Sequence, residues 1–525
     1  MKRDRIIIAC VAVLCFAALA AFYAIYYSSH LLWQEQNRIF LYSASWIAGY
    51  FGRPAWLACL GGEWLSQFFA FPLAGAVILT LLIAAATVLF GIAARRYLRS
   101  WAALALSAVF ALFLAGCSMR ASTAPEFFIA VAGGLLCGVA PTRVTVRNGR
   151  RIDLAPLAVA FSFWAFGFGA LVTALLKCAD AVGRGYEEKW RGYWWVSAVC
   201  TAAVAVGLPA AVCRPCGLPY GITLTYPGLS WPGLPESRSE ERLAIADAFS
   251  SGDYARTGAL AQSVEEPDDV TAFYYYLSSA VRDSLPDNLM KYPVKNLGTL
   301  TSIGDETPLM VINMMNDLYF ELGDMTYAER AAMMRNVFSP RNRNVRMMRR
   351  LAEINLVSGD TAAAMKYLRI LDRTHFYSGW SRDHRPGSMS GAAEEEILRR
   401  RDLSNSKDNI RLGDNCRNIL LELLESNPRN TVALDYLLCT DLLLKDMDTF
   451  KMDYDTYCME KGAPRYKDLY QQALMIYLAG TEAPGDEWER YIVPGPQAQA
   501  FRAYSARRGD PAFSDTYWYY FDRHK

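Results

Sequence analysis

Histidine is nearly absent: His30, His375, His384 and His524 are the only four in 525 residues. None has a second ligand at a metal-binding spacing, so the common zinc motifs are excluded. The chain has no glycine-rich phosphate loop, no nucleophile elbow and no nucleic-acid signature. It therefore names no cofactor, no metal and no nucleic-acid partner. Acidic residues are scarce in the first 235 residues, which hold 8 Asp and Glu against 18 Lys and Arg. Cysteine is scarce in the remainder, with Cys416, Cys439 and Cys458 alone. An odd number in helical sequence is no disulfide scaffold and fits a reducing compartment.

What is present falls into two unlike parts. Residues 1–235 carry a net charge of +10 and residues 236–525 one of −8, so the overall +2 is a cancellation. A basic, apolar part joined to an acidic, polar one suggests a membrane domain followed by a water-soluble domain. The expected fold class is all-α. A polytopic transmembrane domain occupies 1–213, a Pro/Gly-rich linker 214–235, and a soluble helical-repeat domain 236–525.

A bilayer core about 30 Å thick needs ~20 apolar residues in a helix, because lipid leaves backbone polar groups no partner. Six segments meet or approach this: Ile6–Tyr27, Pro72–Ala94, Trp101–Gly116, Pro125–Ala140, Leu154–Leu176 and Tyr193–Cys213. The first ends in aromatic residues and not at a small-residue cleavage site, so it reads as a retained helix. Lys and Arg cluster at the N-terminus, at Arg95–Arg99 and at Arg143–Arg151, which places these inside. Residues 28–70, 118–124 and 177–192 then lie outside. The last is less clean, since it carries Lys177, Arg184, Lys189 and Arg191 against Asp180, Glu187 and Glu188. Six crossings return the chain inside, so the soluble domain is expected to be cytoplasmic.

The outer loop 28–70 is long, nearly uncharged and rich in aromatics. Ile39, Tyr42, Trp46, Ile47 and Tyr50 share one face at helical spacing. Gly52-Arg53-Pro54 and Gly61-Gly62 read as breaks, so two short interfacial helices or a shallow re-entrant hairpin are expected. Two acids stand in it, Glu35 and Glu63. Either is a candidate catalytic residue, as a general base or a metal-holding group. The plainer reading leaves both solvated in the headgroup layer. Glu126 complements a helix N-terminus.

In the linker, five prolines between 215 and 235 exclude a helix. The aromatics there suggest packing. Cys213-Arg214-Pro215-Cys216 is a lone CxxC without a redox or metal context and reads as structural. From Ser237 the pattern is helical, opened by an expected capping box, Ser237 to Glu240. Turns at Gly252-Asp253, Gly323-Asp324 and Gly359-Asp360 are spaced by 71 and 36 residues. Asp283-Ser284 lies near the missing midpoint, and Lys445-Asp446 has a similar setting. This is the logic of tetratricopeptide-type helix pairs, whose period is about 34 residues. Such a solenoid offers a concave surface for a protein or peptide partner. Arg343, Arg346 and Arg350 belong to a basic run that reads as a solvated helix face. On a domain near the bilayer it would also suit anionic headgroups or a partner.

The stretch Arg349–Trp380, with Leu351-Ala352-Glu353-Ile354-Asn355-Leu356 and Gly359-Asp360, resembles an uncharacterised family of bacterial multi-pass membrane proteins. Gln34-Glu35-Gln36-Asn37 and Gly61-Gly62 followed by Gln67-Phe68-Phe69 are similar to that family's first outer loop. The resemblance implies location in the cytoplasmic membrane and a TPR-like C-terminal region. It carries no activity and no functional residue. A weaker similarity is to polytopic glycosyltransferases that use lipid-linked sugars. Here single acids, Glu35 and Glu63, stand where an acidic pair is expected. Two functions follow as expectations. One is a membrane-embedded interaction or scaffold protein. The other is a lipid-linked glycosyltransferase-like or lipid-handling enzyme acting on a lipid-linked substrate.

Overall fold

The computed structural model describes residues 2–145, 151–187, 191–217, 219–295, 297, 307–405, 416–463, 466–493 and 495–523. The fold is all-α; the described strands are one short antiparallel pair, Arg143–Thr145 with Arg151–Asp153. The chain divides into two units. The first is Met1–Glu240 with Arg373–Ser378, the second Glu241–Asp372 with Gly379–Lys525.

The first unit contains α1 (Lys2–Tyr26), α2 (Ser28–Gln36), α3 (Ala44–Phe51), α4 (Trp56–Ser66), α5 (Pro72–Ala94), α6 (Ser100–Ser118) and α7 (Pro125–Val139). It continues with α8 (Ala155–Phe166), α9 (Gly169–Glu187), α10 (Arg191–Cys216) and α11 (Tyr220–Thr225). Four stretches are long and apolar enough to cross a membrane: Ile8–Tyr26, Pro72–Ala94, Ser100–Ser118 and Gly192–Pro215. Their outward residues, such as Leu14, Leu81, Leu112 and Val199, are exposed and apolar. That composition suits a hydrocarbon surround better than water.

At the centre lies α7, packed against α4, α5, α8 and α9. Its glycines make this possible. A Cβ on Gly134 would meet the Gly169 carbonyl at 2.3 Å, and one on Gly133 would meet Phe166 at 2.2 Å. Small residues allow the close helix approach that apolar surroundings reward.

The single crossing expected over Leu154–Leu176 is not what forms. The chain breaks at Gly167, whose φ is +59°, and α8 and α9 fold back on each other. The Thr173 hydroxyl donates to Ser162 Oγ at 2.8 Å across this antiparallel hairpin. A helix-period pattern cannot register such a break, because both halves are apolar and Gly167 is tolerated in either reading.

Loop 28–70 also differs from expectation. It forms three short helices, α2, α3 and α4, closed by a 3₁₀ turn at Gln67–Ala70. Ile39, Phe40 and Leu41 are buried outside any helix. Gly61 and Gly62 do not break α4. They lie within it, where the missing Cβ leaves room for Ile129 and Glu126.

The linker is helical in part: α10 continues to Cys216 with Pro209 and Pro215 inside it, and α11 follows Pro219. The remainder packs on the first unit. Tyr226 O accepts from Phe168 N at 2.8 Å, and Gly233 N donates to Gly116 O at 2.9 Å. The Cys216 side chain, and with it the CxxC, lies outside the described residues.

Helix α12 (Ser237–Ser250) leads into the second unit. There follow α13 (Tyr254–Ser263), α14 (Asp269–Val281), α15 (Leu285–Asn288), α16 (Leu309–Glu321), α17 (Met325–Val337), α18 (Val345–Ser358) and α19 (Thr361–Leu371). Then come α20 (Ser378–Asp383), α21 (Gly391–Leu403), α22 (Cys416–Ser426), α23 (Thr431–Leu444) and α24 (Met447–Tyr454). The last are α25 (Asp468–Gly480), α26 (Gly485–Tyr491), α27 (Pro496–Ala506) and α28 (Tyr517–Arg523). Four joints share one geometry. Gly252, Gly323, Gly359 and Lys445 take positive φ. The following Asp253, Asp324, Asp360 and Asp446 each accept from the amide three residues on. The left-handed residue ends one helix and the aspartate caps the next, so the chain reverses within two residues.

The expected capping box at Ser237 is replaced: the Glu240 carboxylate accepts from Ser29 N at 2.5 Å and His30 N at 3.1 Å. A reciprocal box is instead made by Asp268 and Thr271.

Candidate functional site

Two places in the molecule concentrate polar chemistry, one in each unit. In the first unit, Glu35 and Glu63 are buried, with 4% and 6% of their surface exposed. Solvation in a headgroup layer is thereby excluded as their setting. Burying a carboxylate is costly unless donors meet it, and here tyrosines do. The Tyr377 hydroxyl lies 2.9 and 3.0 Å from the two Glu35 oxygens. Glu63 accepts from the hydroxyl of Tyr50.

Tyr377 reaches Glu35 because Arg373–Ser378 is built into the first unit. Tyr42 N donates to Arg373 O at 2.8 Å. The Phe376 ring packs edge-on against Phe68 and Phe71, with centroids 5.7 and 5.2 Å apart. Edge-to-face pairs of this kind add about 0.5–1.5 kcal/mol beyond area burial.

A third buried acid completes the set. Glu126 sits in the first turn of α7, as its position predicts, and pairs with Arg38, Nε to Oε1 3.3 Å. Its Oε2 has no hydrogen-bond partner among the described residues. Its backbone and stem lie against Gly62, where a Cβ would come within 2.5 Å of Cγ. Cys59 lies nearby, its thiol pushed up to about 12 by burial, which argues against a thiolate nucleophile. The described residues contain no group of three or more acids, histidines and cysteines arranged to hold a metal.

The sequence pointed to Glu35 and Glu63 but missed Arg38, Tyr50 and Tyr377. Arg38 had a signal: a cation in a nearly uncharged loop needs a buried acid or water. Tyr377 had none, standing 342 residues from its partner.

In the second unit, the basic run resolves differently from expectation. Arg346 and Arg350 are buried beneath the surface and not on a solvated face. Both pair with the buried Asp317, at 2.6 and 3.1 Å, while Arg343 is half-buried. Burial withdraws the first two guanidiniums from headgroups. Arg400 is buried too and lies 2.7 Å from both Glu321 and Glu396. The Phe320 ring is sandwiched by Arg350 and Arg400, 3.9 and 4.3 Å from its centroid.

Arg350, Arg400, Glu321, Glu396 and Phe320 wall a cavity of about 280 Å³, together with Tyr254, Arg349, Glu353 and His384. Arg349 rests on the Trp380 ring at 4.9 Å, and His384 stacks on the same ring at 3.9 Å. Three guanidiniums and three carboxylates share the wall, so its charge is balanced. A lone anion gains little there, because the carboxylates oppose it. A ligand presenting donors and acceptors in alternation fits better.

The chain belongs to a family of unknown function, DUF6057, whose profile matches residues 4–523. No curated protein matches it. No solved structure matches it either.

Proposed function

From that membership, which carries no activity, and from the two polar sites, we propose a membrane-embedded interaction protein. Its second unit acts as a tetratricopeptide-like helical repeat that binds an extended peptide segment of a protein partner. The observation that carries this is the charge-balanced cavity beside Phe320. A peptide backbone alternates donors and acceptors, and polar side chains extend the pattern. The cavity volume is at the low end for a complete small-molecule site, about 300–1,000 Å³, and suits anchor residues of a longer ligand. The four shared αL–Asp joints support the repeat reading, since stacked helix pairs with tight turns form concave faces.

The test is site-specific photocrosslinking in the full-length membrane protein. A photoreactive residue at position 384 should trap one defined partner segment. Arg349→Glu and Glu353→Lys should each abolish the adduct. The same probe at exposed Leu398 should trap nothing specific. No adduct at 384, or equal adducts at both positions, rejects the reading.

A second reading rests on the first unit, where Glu126 Oε2 is buried with no hydrogen-bond partner among the described residues and its stem lies against Gly62, next in sequence to Glu63. That set suits a lipid-handling or lipid-linked transfer site. Glu35→Gln and Glu63→Gln should then remove a cellular phenotype while protein abundance holds. An unchanged phenotype in both variants removes this reading.

A further inference from the structure

The first unit has two ends, and contacts among its described residues place the helix ends at one or the other. At one end, Tyr27 OH donates to Met119 O at 2.8 Å, joining the C-terminal ends of α1 and α6. Loop 28–71 and residues 119–124 lie there. At the opposite end, Arg96 donates to Val139 O, joining the C-terminal ends of α5 and α7. The N-terminus of α1 and the Arg143–Asp153 strand pair lie at that end as well.

Because α8 and α9 form a hairpin, α9 returns the chain to the end it came from. Lys177 Nζ donates to Ala140 O, and Arg96 lies 3.7 Å from Asp180. Arg143 and Arg184 both lie over the ring of Trp194, at 5.4 and 5.7 Å. Then α10 starts at the same end, where Ser197 Oγ donates to Asp153 at 2.8 Å. It carries the chain across once more. Ser230 and Thr123 hydroxyls meet at 2.5 Å, and Glu240 takes the Ser29 amide. The chain therefore leaves the first unit, and re-enters it as Arg373–Ser378 beside Tyr42, at the end opposite its own N-terminus.

We infer that the second unit lies on the outer, extracytoplasmic side of the membrane. The charge pattern agrees. The N-terminus and segments 95–99, 143–151 and 177–191 hold fourteen of the eighteen Lys and Arg of residues 1–235. Segments 28–71 and 118–124 hold Arg38, Arg53 and Arg120 alone. Basic loops stay on the cytoplasmic side. The four basic residues of 177–192 cease to be anomalous, since the hairpin moves that loop inside. The parity holds whether α8 and α9 span fully or only dip into the bilayer, because in both cases the chain returns. The partner of the second unit is then an extracytoplasmic protein or peptide. That last clause rests on the peptide-binding reading; the sidedness does not.

The experiment uses the full-length chain in intact spheroplasts, with one epitope tag at either terminus or inserted after Glu187. External protease should remove the C-terminal tag. The N-terminal and Glu187 tags should survive until the membrane is opened. A protected C-terminal tag beside a protected N-terminal tag would restore an even number of crossings and overturn the proposal. So would an accessible N-terminus with a protected C-terminus, or an accessible Glu187 tag. If the inserted tag prevents accumulation, the two termini alone decide. A failed crosslink at position 384 would leave these outcomes unchanged, so the two readings fail separately.

Discussion

The Tyr377 hydroxyl lies within 3.0 Å of both carboxylate oxygens of Glu35, which is buried in α2. Removing this donor leaves a buried carboxylate short of a partner. Tyr377→Phe should therefore cost about 1–3 kcal/mol. Glu35→Gln, which keeps an acceptor and removes the charge, should cost less. Thermal unfolding in detergent measures both. Equal or reversed effects would show that the tyrosine does not stabilise the acid.

Opposing pH slopes are expected from His30 and Glu240, which meet at the start of α2. Burial lowers His30 to about 4, against backbone carbonyl bonds that raise it. Its contribution is present above pH 6.5 and is lost as pH falls towards 4. Burial raises Glu240 to about 6, against the amides of Ser29 and His30. Its contribution is present below pH 4.5 and is lost as pH rises through 6. Between 4.5 and 6 the two partly cancel. In Glu240→Gln, stability should fall more steeply on acidification, by up to about 3 kcal/mol from His30. In His30→Gln it should fall as pH rises, by on the order of 1–2 kcal/mol. Melting temperature against pH for the three proteins reads this directly, and parallel curves would refute it.

The helix joints make a paired prediction. Gly359 has φ +83° and open space around its missing Cβ. Gly359→Ala should cost about 1–2 kcal/mol, the left-handed penalty alone. Gly323 has the same φ, but its Cβ would meet Leu403 O at 2.3 Å. Gly323→Ala should be clearly worse, because backbone must move as well. Denaturant midpoints of the two variants should differ; matching values would mean the Leu403 contact is not made.

Asp317 neutralises two buried guanidiniums. Asp317→Ala removes the carboxylate shared by Arg346 and Arg350, leaving Arg350 its second acid, Glu353 at 3.3 Å, and should cost about 3–5 kcal/mol, the scale for breaking a buried pair from one side. Arg369→Ala, exposed on α19, should be nearly silent. Comparable losses in the two variants would contradict the burial of the pair.

Much of the architecture was legible because its causes are local. Apolar runs of helix length marked α1, α5 and α6 to within a few residues. The Gly-Asp pairs marked three joints, since only glycine takes a left-handed turn freely and aspartate caps the helix after it. The fourth, Lys445-Asp446, was marked by its similar setting, and its left-handed lysine shows that the joint survives without glycine.

The sequence by itself determined the helical class, the two-part character and the presence of isolated acids in the loop 28–70. Each follows from periodicity or charge read over a short window. Only the tertiary structure decided which groups meet. It turned Leu154–Leu176 from a crossing into a hairpin, since the break depends on the close approach of Gly169 to α7 and of Tyr226 and Ala55 to Gly167. It buried Arg346 and Arg350 on Asp317, and it set Tyr377 against Glu35. A buried charge is stable only through its partner, and partners hundreds of residues away leave no mark on local sequence.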